Sequence, residues 1–225
     1  MVLQKLLRRF GSKGWSGWPE RAYQRERYQQ RLESVQKHLA ECLAIAPQGP
    51  VRIISICAGD GRDVIGVLRT HPRVADVKAW LVELNPESVA LGMRQATSAG
   101  LESRITFLNQ DATVYETYKN IAPADIVLAC GVWGHVPPEG RVTLVRALAA
   151  LCKPGGTVLW SRGVSKGMHR LDAVESLFLS PSWEKVALNL TPDNQWAVAI
   201  HRYCGPPREL PNSGQIFHFQ RVAGT

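Results

Sequence analysis

Short runs of β-branched residues alternate along this chain with segments of helical period. VRIISIC (51–57) is the first, and it is apolar at almost every position. A run of that length and composition marks a strand buried on both faces. It meets the turn AGDG (58–61), and residues 62–71 then read as a helix. VKAWLVEL (77–84), RITFLNQD (104–111), ADIVLACG (124–131) and TVLWSR (157–162) are further strands. Helices are expected between them at 86–99, where Pro86 opens and Gly100 closes the segment, and at 138–152, where Leu144, Leu148 and Leu151 fall on one stripe. KPGG (153–156) reads as a turn. Repeated strand–helix units specify a parallel sheet with helices on both faces. WEKVALNL (183–190) and QWAVAIHR (195–202) have no helix between them, so they predict a terminal antiparallel hairpin. One edge strand is expected at 215–220.

Before this alternation, a helical pattern runs from about Glu20 to Ala46. Tyr28, Leu32, Val35, Leu39 and Cys42/Leu43 form its apolar stripe, with Arg25, Arg27, Arg31 and Lys37 largely off it. The expected organisation is a basic tail and helix at 1–48, a core at 49–203 and an extension at 204–225. The whole is an α/β, Rossmann-like sheet of seven strands, mostly parallel.

Composition narrows the classes. With 45% apolar and 20% charged residues in 225, the chain is an ordinary globular one. It has no apolar run long enough for a membrane span and no signal-like leader, so cytoplasmic residence is expected. Five cysteines without a CxxC pair predict neither zinc nor a disulfide framework. Residues 1–37 hold nine basic residues against Glu20, Glu26 and Glu33, so six of the eight net positive charges fall there. That segment fits a solvated helix face, a lid, or a phosphate-bearing partner.

In open α/β sheets, ligands bind beyond the carboxyl ends of the strands. The residues placed there are Cys57, Ala58, Gly59, Asp60, Gly61 and Asp63 after the first strand, and Glu83 and Leu84 after the second. Asp111 and Ala112 follow the third; Cys130, Gly131, Trp133 and His135 follow the fourth; Arg162 and His169 follow the fifth. A P-loop is excluded, because the turn has no lysine. A dinucleotide site is disfavoured, because Val64 stands where the third small residue of GxGxxG belongs.

Taken together, ISICAGDGRD, VELNP, NQDA, ADIVLACG and LCKPGGTVLW resemble, in order and spacing, the motifs of the class I S-adenosylmethionine-dependent methyltransferases, over roughly residues 50–202. The resemblance implies S-adenosylmethionine as cofactor, with Glu83 gripping the ribose hydroxyls and Asp111 holding the adenine amino group. Ser55 stands where the family usually has an acid, and Cys57 where it usually has glycine. Asp60 or Asp63 is then the candidate for the donor's ammonium. His135 is the first candidate for a base, and Trp133 for a pocket wall. Tyr23, Tyr28, Arg162 and His169 are candidates for acceptor binding. The expected acceptor is a small molecule taking the methyl on oxygen or nitrogen. An RNA or protein acceptor, a non-catalytic donor-binding role and a homodimer stay open. No metal is implied, and neither nucleic acid nor membrane is the expected partner.

Overall fold

The computed structural model describes residues 26–164 and 167–220. Helix α1 (Glu26–Ile45) precedes β1 (Val51–Ile56), α2 (Arg62–Leu68), β2 (Val77–Glu83), α3 (Pro86–Ser98), β3 (Ile105–Asn109) and β4 (Ala124–Cys130). Then come α4 (Pro138–Leu151), β5 (Cys152–Gly163), α5 (His169–Glu175), β6 (Trp183–Leu190) and β7 (Trp196–Tyr203). The strands form one sheet in the order β3-β2-β1-β4-β5-β7-β6. Strands β1 to β5 pair in parallel, and β7 runs antiparallel to both β5 and β6. The expected fold class is therefore present, with the hairpin inserted so that its second strand, not its first, joins the sheet.

Strand β1 shows why the sheet sits centrally. Ile54 and Ile56 belong to one buried cluster, with Leu144 and Leu148 of α4. Val51 and Ile53 belong to the opposite one, with Leu39 and Leu43 of α1 and Val64 of α2. A strand apolar at both parities can be covered on both faces, and each fully buried Leu or Ile contributes about 1.5–3 kcal/mol.

Helix α1 is fastened at several points along its length. Its stripe buries Val35, Leu39, Cys42 and Leu43. Gln30 Oε1 accepts the Asp193 N–H at 2.9 Å, and Gln36 Nε2 donates to the Arg62 carbonyl at 2.9 Å. The His38 ring lies 2.8 Å from Asn189 Nδ2. At its end the Arg73 guanidinium donates to the carbonyls of Leu43, Ala46, Pro47 and Gly49, which satisfies helix-end acceptors that would otherwise face only water.

Three local expectations change. Lys153–Gly156 is not a turn between elements but an irregularity inside β5, where the pairing jumps from Ala124–Cys152 to Ile126–Thr157. The segment 215–220 is not an edge strand. It makes a single bridge, Gln215 to Val114, and is held by burial of Ile216 and Phe217. Helix α5 was not expected; at seven residues it is too short to show a period.

Candidate functional site

The chain runs outward from β1 to β2 and β3, then returns to place β4 on the other side of β1. In open α/β sheets the ligand crevice lies at such a reversal, at the carboxyl ends of the strands. The turn after β1 lines it. Cys57 (φ +52°), Gly59 (φ +59°) and Gly61 (φ +69°) all take the left-handed conformation. At Gly61 a Cβ would stand 2.3 Å from Leu81 Cδ2 and 2.9 Å from Phe107 Cζ, so close packing demands glycine there. At Gly59 a Cβ would meet nothing within 4 Å, so the turn's backbone faces open space. Cys57 holds, as a non-glycine, a backbone region that costs about 1–2 kcal/mol for an L-residue. Its thiol is pushed well above its usual range by burial, then by the charges of Glu83 and Asp111, so it stays protonated.

Glu83 at the end of β2 spans this turn. One carboxylate oxygen accepts the Gly59 N–H at 2.9 Å and the other accepts the Asn85 N–H at 2.8 Å. Burial pushes its pKa up, and those backbone donors pull against that shift. Asp111 lies two residues past β3. Its Oδ1 accepts both the backbone N–H and the hydroxyl of Thr113, at 2.8 and 2.7 Å, which fixes the carboxylate's direction.

The two aspartates of the turn divide. Asp60 is buried and ion-paired with Arg62, which donates from Nε to both carboxylate oxygens at 2.9 Å. Its charge is consumed inside the turn. Asp63 accepts the Val64 N–H at 2.9 Å. Burial raises its pKa, and the nearby Arg31 draws it back down. Of the two, Asp63 is the carboxylate not consumed by an ion pair within the turn.

Next to this lies a cavity of about 250 Å3, lined by Tyr28, Gly131, Gly134, His135, Ser161, Arg162, Gly163, Arg170, Gln195 and Trp196. The Gly131 N–H donates to Ser161 Oγ at 3.1 Å, tying the ends of β4 and β5 together. Tyr28 and Trp196 form one wall, their ring centroids 5.5 Å apart. His135 is held from behind, because its carbonyl accepts the Gln220 N–H at 2.7 Å. Burial and then the Arg162 charge lower its pKa, so the ring is neutral at pH 7. Arg162 is only 6% exposed.

Of the residues expected here, Tyr28, Gly131, His135 and Arg162 come together around the cavity, and Cys57, Ala58, Gly59, Glu83, Leu84, Asp111, Ala112 and Cys130 lie at or just past the carboxyl ends of β1 to β4. Others are placed elsewhere. Trp133 is fully buried, packed against Trp160 and Phe178 at 5.7 and 6.0 Å, and presents no wall to the cavity. His169 is exposed at the start of α5 and is not among the lining residues. Tyr23 lies outside the described residues. Arg31, Arg170 and Trp196 were missed. Arg31 is buried, approaches Gly131 closely and lies over the Trp196 ring at 5.2 Å. Expected largely off the apolar stripe, Arg31 instead faces inward: it sits three residues after Tyr28, a spacing that puts both on one helix face.

A family model described as a methyltransferase domain matches residues 53–156. An uncharacterized protein of Escherichia coli K12, YnbC, is 28% identical over 113 residues, which is 49% of this chain. The chain spans 19% of that relative's length. Among solved structures, the magnesium protoporphyrin IX methyltransferase of Synechocystis, with bound S-adenosylmethionine, is similar at a TM-score of 0.68 and 15% identity, covering 89% of this chain and 96% of that one. The ribosomal protein L11 methylase of Lactobacillus delbrueckii is similar at 0.54 and 14%, covering 76% and 79%. These likenesses show the fold, and the matched domain coincides with the strands that build the crevice. No helix of the described residues is long and apolar enough to cross a membrane.

Proposed function

We infer that this chain, a class I S-adenosylmethionine-dependent methyltransferase by the domain it matches and the fold it adopts, moves a methyl group to an oxygen or nitrogen of a small molecule. The observation that carries the small-molecule part is the cavity beside the donor turn, walled by Tyr28 of the docked helix α1 together with Trp196. Its volume of about 250 Å3 suits a compact acceptor.

Glu83 and Asp111 suit the hydroxyls and the amino group of an adenosine, since charge-assisted hydrogen bonds are roughly twice as strong as neutral ones. The Gly59 backbone leaves room for close approach. Asp63 offers its charge to the donor's ammonium, in place of the acid the family usually carries at Ser55. The bound donor supplies an electrophilic methyl on a sulfonium. The protein's work is alignment of the acceptor for in-line attack and exclusion of water, which together account for most of what such a site must provide. His135, which lines the cavity and is neutral at pH 7, is our candidate to receive a proton from an acceptor hydroxyl or ammonium. The unit at 49–203 then holds the chemistry, and helix α1 contributes a wall through Tyr28.

The reading is tested in two steps. Calorimetry should show binding of S-adenosylmethionine and of its demethylated product, and none of NAD. Protein supplied with isotopically methyl-labelled donor and a cell extract should deposit label in the low-mass fraction. Label confined to RNA or protein would instead support a macromolecular acceptor gripped by the basic N-terminal segment.

A further inference from the structure

One wall of the cavity is cationic without a matching acid. Arg162 reaches in from the end of β5, so close to Gly134 that a Cβ there would stand 2.8 Å from its Nη1. Its Nε is buried and has no hydrogen-bond partner. Arg170, in the first turn of α5, lines the same cavity. Arg141, whose Nε donates to the Val136 carbonyl at 3.1 Å, adds its charge from α4. Among the described residues, none of these three is in a salt bridge with a carboxylate. A guanidinium taken out of water without a counter-charge is strongly unfavourable. Consistent with that, burial and then the repulsion of Arg141 and Arg170 push the Arg162 pKa down to about 10. An anion in the cavity removes this penalty, and the planar fork of a guanidinium fits a carboxylate or phosphate with two parallel bonds.

We propose that the cavity binds a small acceptor bearing a carboxylate or a phosphate, anchored by Arg162 with Arg170 beside it, while a different atom of the acceptor takes the methyl group. This rests on the methyltransferase reading above and names its substrate class. The anion is the anchor and not the nucleophile for a reason of charge. An anion that attacks the methyl carbon loses its negative charge along the reaction, so arginines bound to it would hold the ground state more tightly than the transition state and slow the step. Held instead on a remote anion, the arginine contacts persist unchanged while a hydroxyl or amine attacks. The new O–C or N–C bond then forms as the C–S bond breaks, the electron pair stays on sulfur, and the acceptor's proton passes to His135 or to solvent. Tyr28 and Trp196 leave the body of the acceptor an aromatic surface to lie against.

The test uses the full chain and simple probes. Calorimetry is run with benzoate and phenyl phosphate, and with the uncharged benzamide and benzyl alcohol, each with and without the demethylated donor product. The anions should bind at least about tenfold more tightly than the neutral probes, the ratio one charge-assisted hydrogen bond supplies. R162Q should abolish that preference. R170Q, on a partly exposed helix position where folding is not at stake, should weaken it roughly threefold to tenfold. Preference for benzoate points to a carboxylic acid acceptor, and preference for phenyl phosphate to a phosphate ester. Equal binding of charged and neutral probes, or an anion preference that survives both R162Q and R170Q, overturns the proposal. Anion binding without any binding of the donor product would leave this site standing and remove the methyltransferase reading.

Discussion

Replacing Glu83 by glutamine separates the two things its carboxylate is asked to do. In the free protein it accepts one backbone N–H with each oxygen, from Gly59 at 2.9 Å and from Asn85 at 2.8 Å. A glutamine amide has a single acceptor oxygen, so one of those N–H groups would face an NH2 and lose its partner. An unsatisfied donor of this kind costs about 1–3 kcal/mol. For a chain of this size that lowers the melting temperature by roughly 2–4 °C per kcal/mol. Donor binding should fall separately. If the carboxylate also accepts the ribose hydroxyls, halving the strength of those bonds removes about 1–2 kcal/mol, or roughly 5–30-fold in affinity. Thermal unfolding reads the first effect, and titration with the demethylated donor product at a temperature well below the transition reads the second. A loss of stability with donor affinity held within about twofold would refute the reasoning, because it would make Glu83 a strut of the turn and nothing more.

G61A and G59A should diverge although both glycines have positive φ. The first drives a methyl into Leu81 and Phe107 and should cost about 2–4 kcal/mol by urea unfolding; the second adds only backbone strain of about 1–2 kcal/mol but should impair donor binding, because its methyl enters the open crevice. The rate of methyl transfer should drop as pH falls through the His135 pKa, which lies below 6.5, and in R162Q that acid limb should move to higher pH; an unmoved limb would mean that Arg162 does not act on the ring. Stability should fall between pH 6.5 and about 4 for a different reason. Burial, then Lys185, lowers the His201 pKa to about 4, so the unfolded chain takes up this proton first and stability is complete only above 6.5. The Trp160 Nε1–H donates to His201 Nδ1 at 3.1 Å, so protonation would set two donors against each other, and H201F should flatten this slope in unfolding experiments at stepped pH.

The sheet was legible because its central strands are buried on both faces, which forces continuous apolar, β-branched runs that few other elements imitate. Glu83 and Asp111 were legible because parallel strands deliver their last residues to one rim. Trp133 was not. By sequence it sits between Gly131 and His135, both of which reach the cavity, yet its side chain turns inward against Trp160 and Phe178. Phe178 is delivered by the short segment after α5, and nothing in the chain's periodicity announces that segment. Arg170 was hidden for the same reason. Arg31 was hidden by an assumption about charge. A basic residue in an amphipathic helix is ordinarily a solvated one, and the period that places Arg31 beside Tyr28 was outweighed by its side-chain type.

Arg31 also changes what the basic N-terminal segment signifies. Taken as a sum, six net charges ahead of the core argue for a phosphate backbone as partner. One of those charges, however, is buried over Trp196 and directed toward Asp63 and Gly131, where it serves the interior of the site. The helix that carries it is fixed to the start of α2 through Gln36 and to the end of β6 through His38 and Asn189. It packs along one face of the sheet, and its first turn brings Tyr28 to the rim of the cavity. Without it the cavity would stay open on the side where Tyr28 now stands. The same helix thus narrows the cavity and adds an arginine between it and the turn after β1.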